Sequence, residues 1–256
     1  MDFLTWPGFR LRFGACAPPL CPLSRLSQER PHGVGPLKSF NGCQGMEHKA
    51  MPLYVVREPL VLASGSPRRR ELLAQIGLDF QVRPSSAEEP FMGSRPAEGV
   101  RRAALLKARS VALQEGASWV LAADTIVVLG GHIFGKPSSP EEARNMLHFL
   151  AGRSHEVYSA VCLMRADRGF CRLEIVRSRV EFREVTNAEI DAYVRTGEPM
   201  DKAGAYGIQG LGGAFVRAVY GSYTNVVGLP LAETLGMLQK NGVIAPCVEE
   251  GPGPAL

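Results

Sequence analysis

Apolar residues follow two spacings along the chain, one typical of strands and one typical of helices. Short apolar runs bounded by turn residues predict strands at residues 60–63, 80–83, 119–129, 133–134, 156–164, 172–184 and 215–220. Apolar residues repeated every three or four positions predict helices at residues 67–76, 96–115, 140–150, 187–194 and 231–240. Because strands and helices alternate, the predicted fold class is α/β.

The two ends of the chain lack a sustained period. Residues 1–57 are rich in Pro, Gly and Cys, and we expect a loosely ordered extension there. An organelle-targeting segment is one alternative; a gene start set too early, before Met46 or Met51, is another, and we favour it. Residues 243–256 are expected to form a flexible tail, which leaves one domain at residues 58–242.

The composition is that of an ordinary globular protein. Of 256 residues, 45% are hydrophobic and 21% are charged, with a formal net charge of +4; these values exclude a wholly disordered or fibrous chain. No apolar run approaches the ~20 residues that span a bilayer, so no membrane partner is expected. The six cysteines show neither disulfide nor zinc spacing, so we expect a cytoplasmic location.

Arginines cluster where the first long helix is predicted to begin. Ser66 and Pro67 are typical of an N-cap and a first helical position, and Arg68, Arg69 and Arg70 follow them. Cations at a helix N-terminus oppose the dipole, whereas free backbone N–H groups there favour anions. The segment is therefore a candidate phosphate site, with solvent-exposed arginines as the alternative.

A carboxylate interrupts the most apolar strand. Asp124 lies among strand-forming residues, where its burial is costly unless it is paired or bound to a metal. Lys107 lies on the apolar stripe of the 96–115 helix and is a candidate cation for the same cleft. A strand end that exposes Asp124 and a lysine that reaches to solvent are the alternatives.

Two glycine-containing segments need separate interpretations. Gly130 to Lys136 has the spacing of a P-loop start, but Pro137 stands where that loop needs Ser or Thr, so a P-loop is rejected. Residues 201–213 form a glycine-rich loop without dinucleotide-binding spacing, and its glycines would allow close approach to a ligand.

Several motifs together resemble the Maf family of nucleoside triphosphate pyrophosphatases, over residues 59–240. The motifs are LASGSPRR at Leu62–Arg69, AADTIV at Ala122–Val127, GKP at Gly135–Pro137, DKAGAYGIQG at Asp201–Gly210 and NVVGLP at Asn225–Pro230. The resemblance implies a mixed twisted sheet with flanking helices and two lobes around a cleft, similar to inosine triphosphate pyrophosphatases. It also implies a homodimer.

The same resemblance implies hydrolysis of a nucleoside triphosphate to the monophosphate and pyrophosphate with Mg²⁺ or Mn²⁺. The DKAGAYGIQG motif is similar to the subgroup that acts on dTTP and UTP, with modified pyrimidine nucleotides as further candidates. The implied roles are removal of non-standard nucleotides and cell-division arrest. By motif, Asp124 would be the catalytic acid–base residue, base specificity would come from Arg68, Thr125 and Gln209, and phosphate contacts would come from Ser66, Arg69, Lys107, Lys136 and Lys202.

One position departs from many members of the family. Gly135 stands where these members have Glu before the Lys-Pro pair, which removes one candidate metal ligand. Glu88 or Glu89 could join Asp124 in holding the metal, since hard oxygen ligands suit Mg²⁺. A non-catalytic nucleotide-binding regulator of cell division is the alternative function. Aromatic and basic residues do not interleave as in RNA-binding modules, so no stable nucleic-acid complex is expected.

Overall fold

The structure is a computed structural model that describes residues 52–87 and 95–247. Its strands are β1 (Tyr54–Val56), β2 (Leu60–Leu62), β3 (Gln81–Val82), β4 (Trp119–Leu129), β5 (His132–Phe134), β6 (Ser154–Arg165), β7 (Phe170–Phe182), β8 (Val216–Tyr220) and β9 (Ile244–Pro246). Its α-helices are α1 (Pro67–Gln75), α2 (Pro96–Glu115), α3 (Pro140–Leu150), α4 (Asn187–Arg195), α5 (Tyr223–Val227) and α6 (Leu231–Lys240). Three short 3₁₀ turns occupy Glu198–Asp201, Ala203–Ala205 and Leu211–Phe215.

Seven strands form one mixed sheet in the order β3-β2-β4-β6-β7-β8, with β5 paired to β4. β2 runs parallel to β3 and β4, and the remaining pairs are antiparallel. Parallel neighbours require a crossover, which α1 and α2 provide, whereas hairpins join β4 to β5 and β6 to β7. The predicted α/β class with a mixed sheet is confirmed.

The five predicted helices begin where the sequence predicts, but their caps differ; the short helix α5 was not predicted. α4 has a complete capping box between Thr186 and Glu189. At α3, the Ser139 hydroxyl accepts a hydrogen bond from the Glu142 backbone N–H. The Glu142 carboxylate accepts from the backbone N–H and the hydroxyl of Ser138, however, and not from the N-cap residue Ser139. Ser66 is the N-cap of α1, and its side chain makes no capping hydrogen bond.

Three apolar clusters surround the sheet. α2 packs its Val100, Ala104 and Val111 stripe against one face. On the other face, α1 and α6 pack around Leu121 at one end, and α3 and α4 pack around Val127 at the other. We call these the first and second lobes. Their separation along β4 creates the expected cleft, because neither cluster covers the middle of that strand.

A two-stranded ribbon lies outside the expected domain at residues 58–242. β1 pairs antiparallel with β9, Tyr54 opposite Pro246, and Ile244 is buried in the first lobe. The expected start at residue 58 excludes β1, and the expected tail from residue 243 includes β9. Each strand is too short to show a period, and pairing between distant segments and packing against the first lobe stabilise them. The predictions for residues 1–51 and 248–256 lie outside the described residues.

Candidate active site

The cleft between the two lobes contains a cavity of about 920 Å³. Cavities of this size hold drug-sized ligands. Every predicted site residue that the structure describes lines it: Ser66, Arg68, Arg69, Lys107, Asp124, Thr125, Lys136, Lys202 and Gln209. Glu89, the tentative second metal ligand, and Glu88 lie outside the described residues.

A gap along one edge of β4 explains why adjacent residues both reach the cavity. β2 pairs with β4 as far as Leu121, and β5 pairs with it from Val127 onward. Among the described strands, none pairs with the edge between those points. Asp124 and Thr125 point to opposite faces of the sheet, as strand neighbours do. Both line the cavity because it opens at this unpaired edge.

Asp124 lies within the strand, opposite Ala160 of β6, and is 6% exposed. The alternative of a strand end that exposes it is therefore wrong. Lys107 Nζ donates to Asp124 Oδ1 at 2.7 Å, so Lys107 points inward instead of reaching to solvent. Asp124 Oδ2 is buried and has no hydrogen-bond partner among the residues that the structure describes. A buried polar atom of this kind indicates a role in binding or chemistry.

Arg68 and Lys202, two predicted substrate contacts, both bond to the carboxylate of Asp201, to which the motifs assigned no role. Asp201 accepts from Arg68 at 2.9 Å and from Lys202 at 2.6 Å, and so joins α1 to the glycine-rich loop. Burial opposes ionisation of Asp201, but hydrogen bonds from Lys202 and Arg68 outweigh it and lower the pKa of Asp201. The sequence signal that could have identified Asp201 as a site residue is its position next to Lys202 in the DKAGAYGIQG motif.

Arg69 has contacts that the phosphate prediction did not anticipate. Its Nε donates to Gly228 O at 2.9 Å, and its Nη1 donates to Ala123 O at 2.8 Å. It also donates to the Thr125 and Ser64 hydroxyls. The guanidinium thus bonds to the open edge of β4, where a neighbouring strand would otherwise lie. A phosphate contact from Arg69 stays a prediction and would compete with these bonds. Arg70 is exposed, so the alternative of a solvent-exposed arginine holds at this position.

The remaining predicted residues occupy different parts of the wall. Thr125 Oγ1 lies 2.8 Å from Ser159 Oγ and donates to Gly228 O, so its hydroxyl belongs to the Arg69 network. Gln209 and Lys136 are exposed at the rim of the cavity. Lys136 follows the β4–β5 hairpin, which confirms that Gly130 to Lys136 is not a P-loop.

The structure gives the loop glycines a role in packing, whereas their close approach to a ligand stays a prediction. They approach the protein's own side chains: a Cβ at Gly204 would lie 2.9 Å from Val127, and one at Gly207 would lie 2.5 Å from Lys202 Cε. Gly204 also has a φ of +70°, where a side chain is strained. The loop therefore needs glycine in order to pack against the second lobe.

A buried histidine supports the same loop. His155 Nε2 lies 2.9 Å from the Tyr206 hydroxyl, and burial lowers the pKa of His155 to about 4. Tyr206 lines the cavity, so this pair links the loop to β6. Within residues 52–87 and 95–247, no group of three or more His, Cys, Asp or Glu side chains could hold a metal by itself. In the same residues, no helix has the length and apolar character needed to cross a membrane.

Comparison with known proteins agrees with this geometry. The family model for Maf-like protein matches residues 59–241. The dTTP/UTP pyrophosphatase of Anaeromyxobacter dehalogenans is 53% identical over 190 residues, covering 73% of this chain and 96% of that protein. The dTTP/UTP pyrophosphatase of Moorella thermoacetica is 51% identical over 185 residues, covering 72% and 95%.

A solved structure of the Staphylococcus aureus Ham1 protein aligns at 18% identity with a TM-score of 0.37, covering 49% of this chain and 72% of that one. That similarity is too low to add to the strand order described above. The family match covers most of the chain, and both relatives are matched over nearly their whole length. The chain belongs to the Maf-like protein family.

Proposed function

We propose that the protein hydrolyses dTTP and UTP to the monophosphate and pyrophosphate. The observation that carries the proposal is the buried Asp124 carboxylate, which lines a nucleotide-sized cavity together with arginine and lysine side chains and whose Oδ2 has no hydrogen-bond partner among the described residues. Family membership and the names of the relatives support the reaction and the substrates. Modified pyrimidine nucleotides, removal of non-standard nucleotides, cell-division arrest, a cytoplasmic location and a homodimer are extensions of this proposal.

In the proposed reaction, Asp124 Oδ2 takes a proton from the water that attacks the α-phosphorus. The bond between the α-phosphorus and the bridging oxygen breaks, and pyrophosphate leaves with the negative charge. Lys107 holds the other oxygen of Asp124 at 2.7 Å and so orients the carboxylate. Lys202 and Lys136, which line the same cavity, stabilise charge on the leaving group.

Base selection is assigned to the glycine-rich loop. The Gln209 amide can donate to O4 and accept from N3–H of uracil or thymine. Arg68 and Thr125 lie on the facing wall of the cavity. Because the Thr125 hydroxyl is bonded to Ser159 and Gly228, we expect Thr125 to contact the substrate through its methyl group.

The described residues fit a divalent cation that is shared with the substrate. The Asp124 carboxylate supplies hard oxygen ligands, and its Oδ2 has no hydrogen-bond partner within residues 52–87 and 95–247. Mg²⁺ is often bound by one or two carboxylates together with substrate phosphates and water. A bound Mg²⁺ or Mn²⁺ would supply positive charge to the triphosphate, and Asp124 would hold it, with Glu89 as a candidate second ligand.

Incubating the purified protein with dTTP, UTP, CTP and 7-methyl-GTP in the presence of Mg²⁺ tests the proposal. We expect pyrophosphate and monophosphate from dTTP and UTP, a loss of activity with EDTA, and a fall of at least about 100-fold in Asp124→Asn. Release of orthophosphate, or full activity in Asp124→Asn, would contradict it. Nucleotide binding without turnover would favour the alternative, a non-catalytic regulator.

A further inference from the structure

The segment that carries Gln209 has no regular secondary structure to fix it. It runs between the 3₁₀ turns at Ala203–Ala205 and Leu211–Phe215, and the Gln209 side chain is exposed. A side chain that selects a base must be held within about 0.5 Å of its productive position. Other groups must therefore fix the backbone on both sides of Gln209.

Glu198 and Tyr193 fix both sides. The Glu198 carboxylate accepts the backbone N–H of Leu211 at 2.9 Å and that of Gly212 at 3.2 Å, just after Gln209. The Tyr193 hydroxyl accepts the backbone N–H of Gly207 at 3.1 Å, just before Gln209, and donates to Glu198 Oε1 at 2.9 Å. The two side chains form one connected support, and α4 supplies Tyr193 from a buried position.

The glycines on both sides of Gln209 fit this support. A Cβ at Gly210 would overlap the Glu198 carboxylate, and a Cβ at Gly212 would lie 2.6 Å from the Tyr193 hydroxyl oxygen. Both contacts are closer than a real Cβ tolerates. The glycines therefore stand where the two supporting side chains leave no room for a Cβ. This is a second observation beside the hydrogen bonds.

Both groups are in the protonation state that the support needs. Burial opposes ionisation of Glu198, but the amides of Leu211 and Gly212 and the Tyr193 hydroxyl outweigh it and lower the pKa of Glu198. Burial raises the pKa of Tyr193, with Glu198 adding to the effect. At neutral pH the carboxylate accepts and the hydroxyl donates.

We infer that Glu198 and Tyr193 are positioning residues for base selection, because they hold the backbone from Gly207 to Gly212 and thereby place Gln209. Neither residue lines the cavity, so both act through Gln209 and not on the substrate. The inference rests on the proposed function, since it concerns how the same site distinguishes dTTP and UTP from other nucleotides.

Two variants and one control test this inference. Glu198→Gln puts an NH₂ group where an acceptor oxygen faces backbone donors, and Tyr193→Phe removes the hydroxyl but keeps the ring against Phe215, whose centroid lies 5.1 Å away. Glu189→Gln is the matched control. Its carboxylate also accepts a backbone N–H, that of Thr186, but it does so at the start of α4.

The measurements are kcat and KM for dTTP and CTP, and amide hydrogen exchange in residues 207–212. In Glu198→Gln and Tyr193→Phe we expect the dTTP to CTP ratio of kcat/KM to fall about tenfold. The fall should come mainly from a higher KM for dTTP, with exchange about tenfold faster in residues 207–212 and unchanged elsewhere. Glu189→Gln should leave the ratio within about twofold of wild type.

Each other result has a distinct meaning. If wild type discriminates between nucleotides and the ratio in Glu198→Gln and Tyr193→Phe matches that of Glu189→Gln, the inference is wrong and the proposed function stands. Faster exchange with an unchanged ratio also overturns it, because the support would then be structural only. If wild type hydrolyses none of the nucleotides, the proposed function is wrong, and the inferred role of Glu198 and Tyr193 in base selection is wrong with it.

Discussion

The two walls of the cavity are held in different ways. The first wall, formed by α1, α2 and β4, places Asp124 within a strand that pairs with β6 over nine consecutive positions. The second wall, residues 198–213, is held mainly by single side chains such as Glu198, Tyr193 and Tyr206. A sheet distributes its stability over many bonds, whereas the loop depends on a few. Reaction chemistry and base selection should therefore respond differently to substitution.

The largest effect is expected on the first wall, from Lys107→Met. The variant leaves the buried Asp124 carboxylate without the ammonium group that orients it at 2.7 Å. We expect kcat/KM for dTTP to fall about 100-fold or more, with base selectivity little changed. Steady-state kinetics on the four nucleotides measure both quantities.

Arg109→Met, an exposed position on the same helix, is the control and should retain wild-type activity. In the double variant Lys107→Met, Asp124→Asn the loss should be much smaller than the product of the two single losses, because the residues act as a unit. Losses that simply multiply would show that the pair does not act together.

A pH-dependent effect is expected on the second wall, from His155. In the unfolded chain His155 takes up a proton below pH 6.5, whereas the folded ring stays neutral to about pH 4. This contribution to stability is therefore complete above pH 6.5 and is lost as the pH falls toward 4. Between pH 7 and pH 5 we expect the free energy of unfolding to fall by on the order of 2 kcal/mol.

Urea denaturation of wild type and His155→Gln at both pH values measures this effect. The His155 variant should lose less stability on acidification than wild type does. His148→Gln, at an exposed position on α3, should keep the wild-type dependence. Equal pH dependence in all three proteins would show that His155 does not stay neutral in the fold.

A loss of stability of similar size is expected from Arg69→Lys. Lysine cannot reproduce the fork that bonds Gly228 O, Ala123 O and the Thr125 hydroxyl. We expect the free energy of unfolding to fall by about 1–3 kcal/mol. Arg70→Lys at the next, exposed position should change it by less than about 0.5 kcal/mol. If the two variants unfold alike in urea, the Arg69 network does not stabilise the edge of β4.

The sequence predicted the first wall well, because its signals are local. The strand at 119–129 and the helix at 96–115 have the bounds that their apolar patterns indicate. Asp124 is conspicuous as a carboxylate in an apolar strand, and Lys107 as a cation on an apolar stripe. The partners of Arg69 could not be predicted, since Gly228 is 159 positions away and its carbonyl oxygen has no side-chain signal.

The second wall was predicted less well for a related reason. The DKAGAYGIQG motif located the loop and Gln209, and the apolar spacing predicted the helix at residues 187–194 that carries Tyr193. Neither pattern shows where the Tyr193 hydroxyl bonds, because its partners Glu198 and Gly207 follow in an irregular segment. The glycines were assigned to ligand approach for the same reason. Their packing partners become evident only when the loop is folded.

The smallest effect is expected from Thr186→Ala, which tests whether the second wall depends on α4 as a whole. The variant removes the side-chain oxygen that accepts the Glu189 backbone N–H in the capping box, and loss of such a cap costs about 1 kcal/mol. Because Tyr193 lies two turns further along a packed helix, its hydroxyl should stay in place. We expect urea denaturation to show this loss, with the dTTP to CTP selectivity ratio unchanged. A shift in that ratio would instead mean that base selection depends on the position of the whole of α4, and not on the hydrogen bonds of Glu198 and Tyr193 alone.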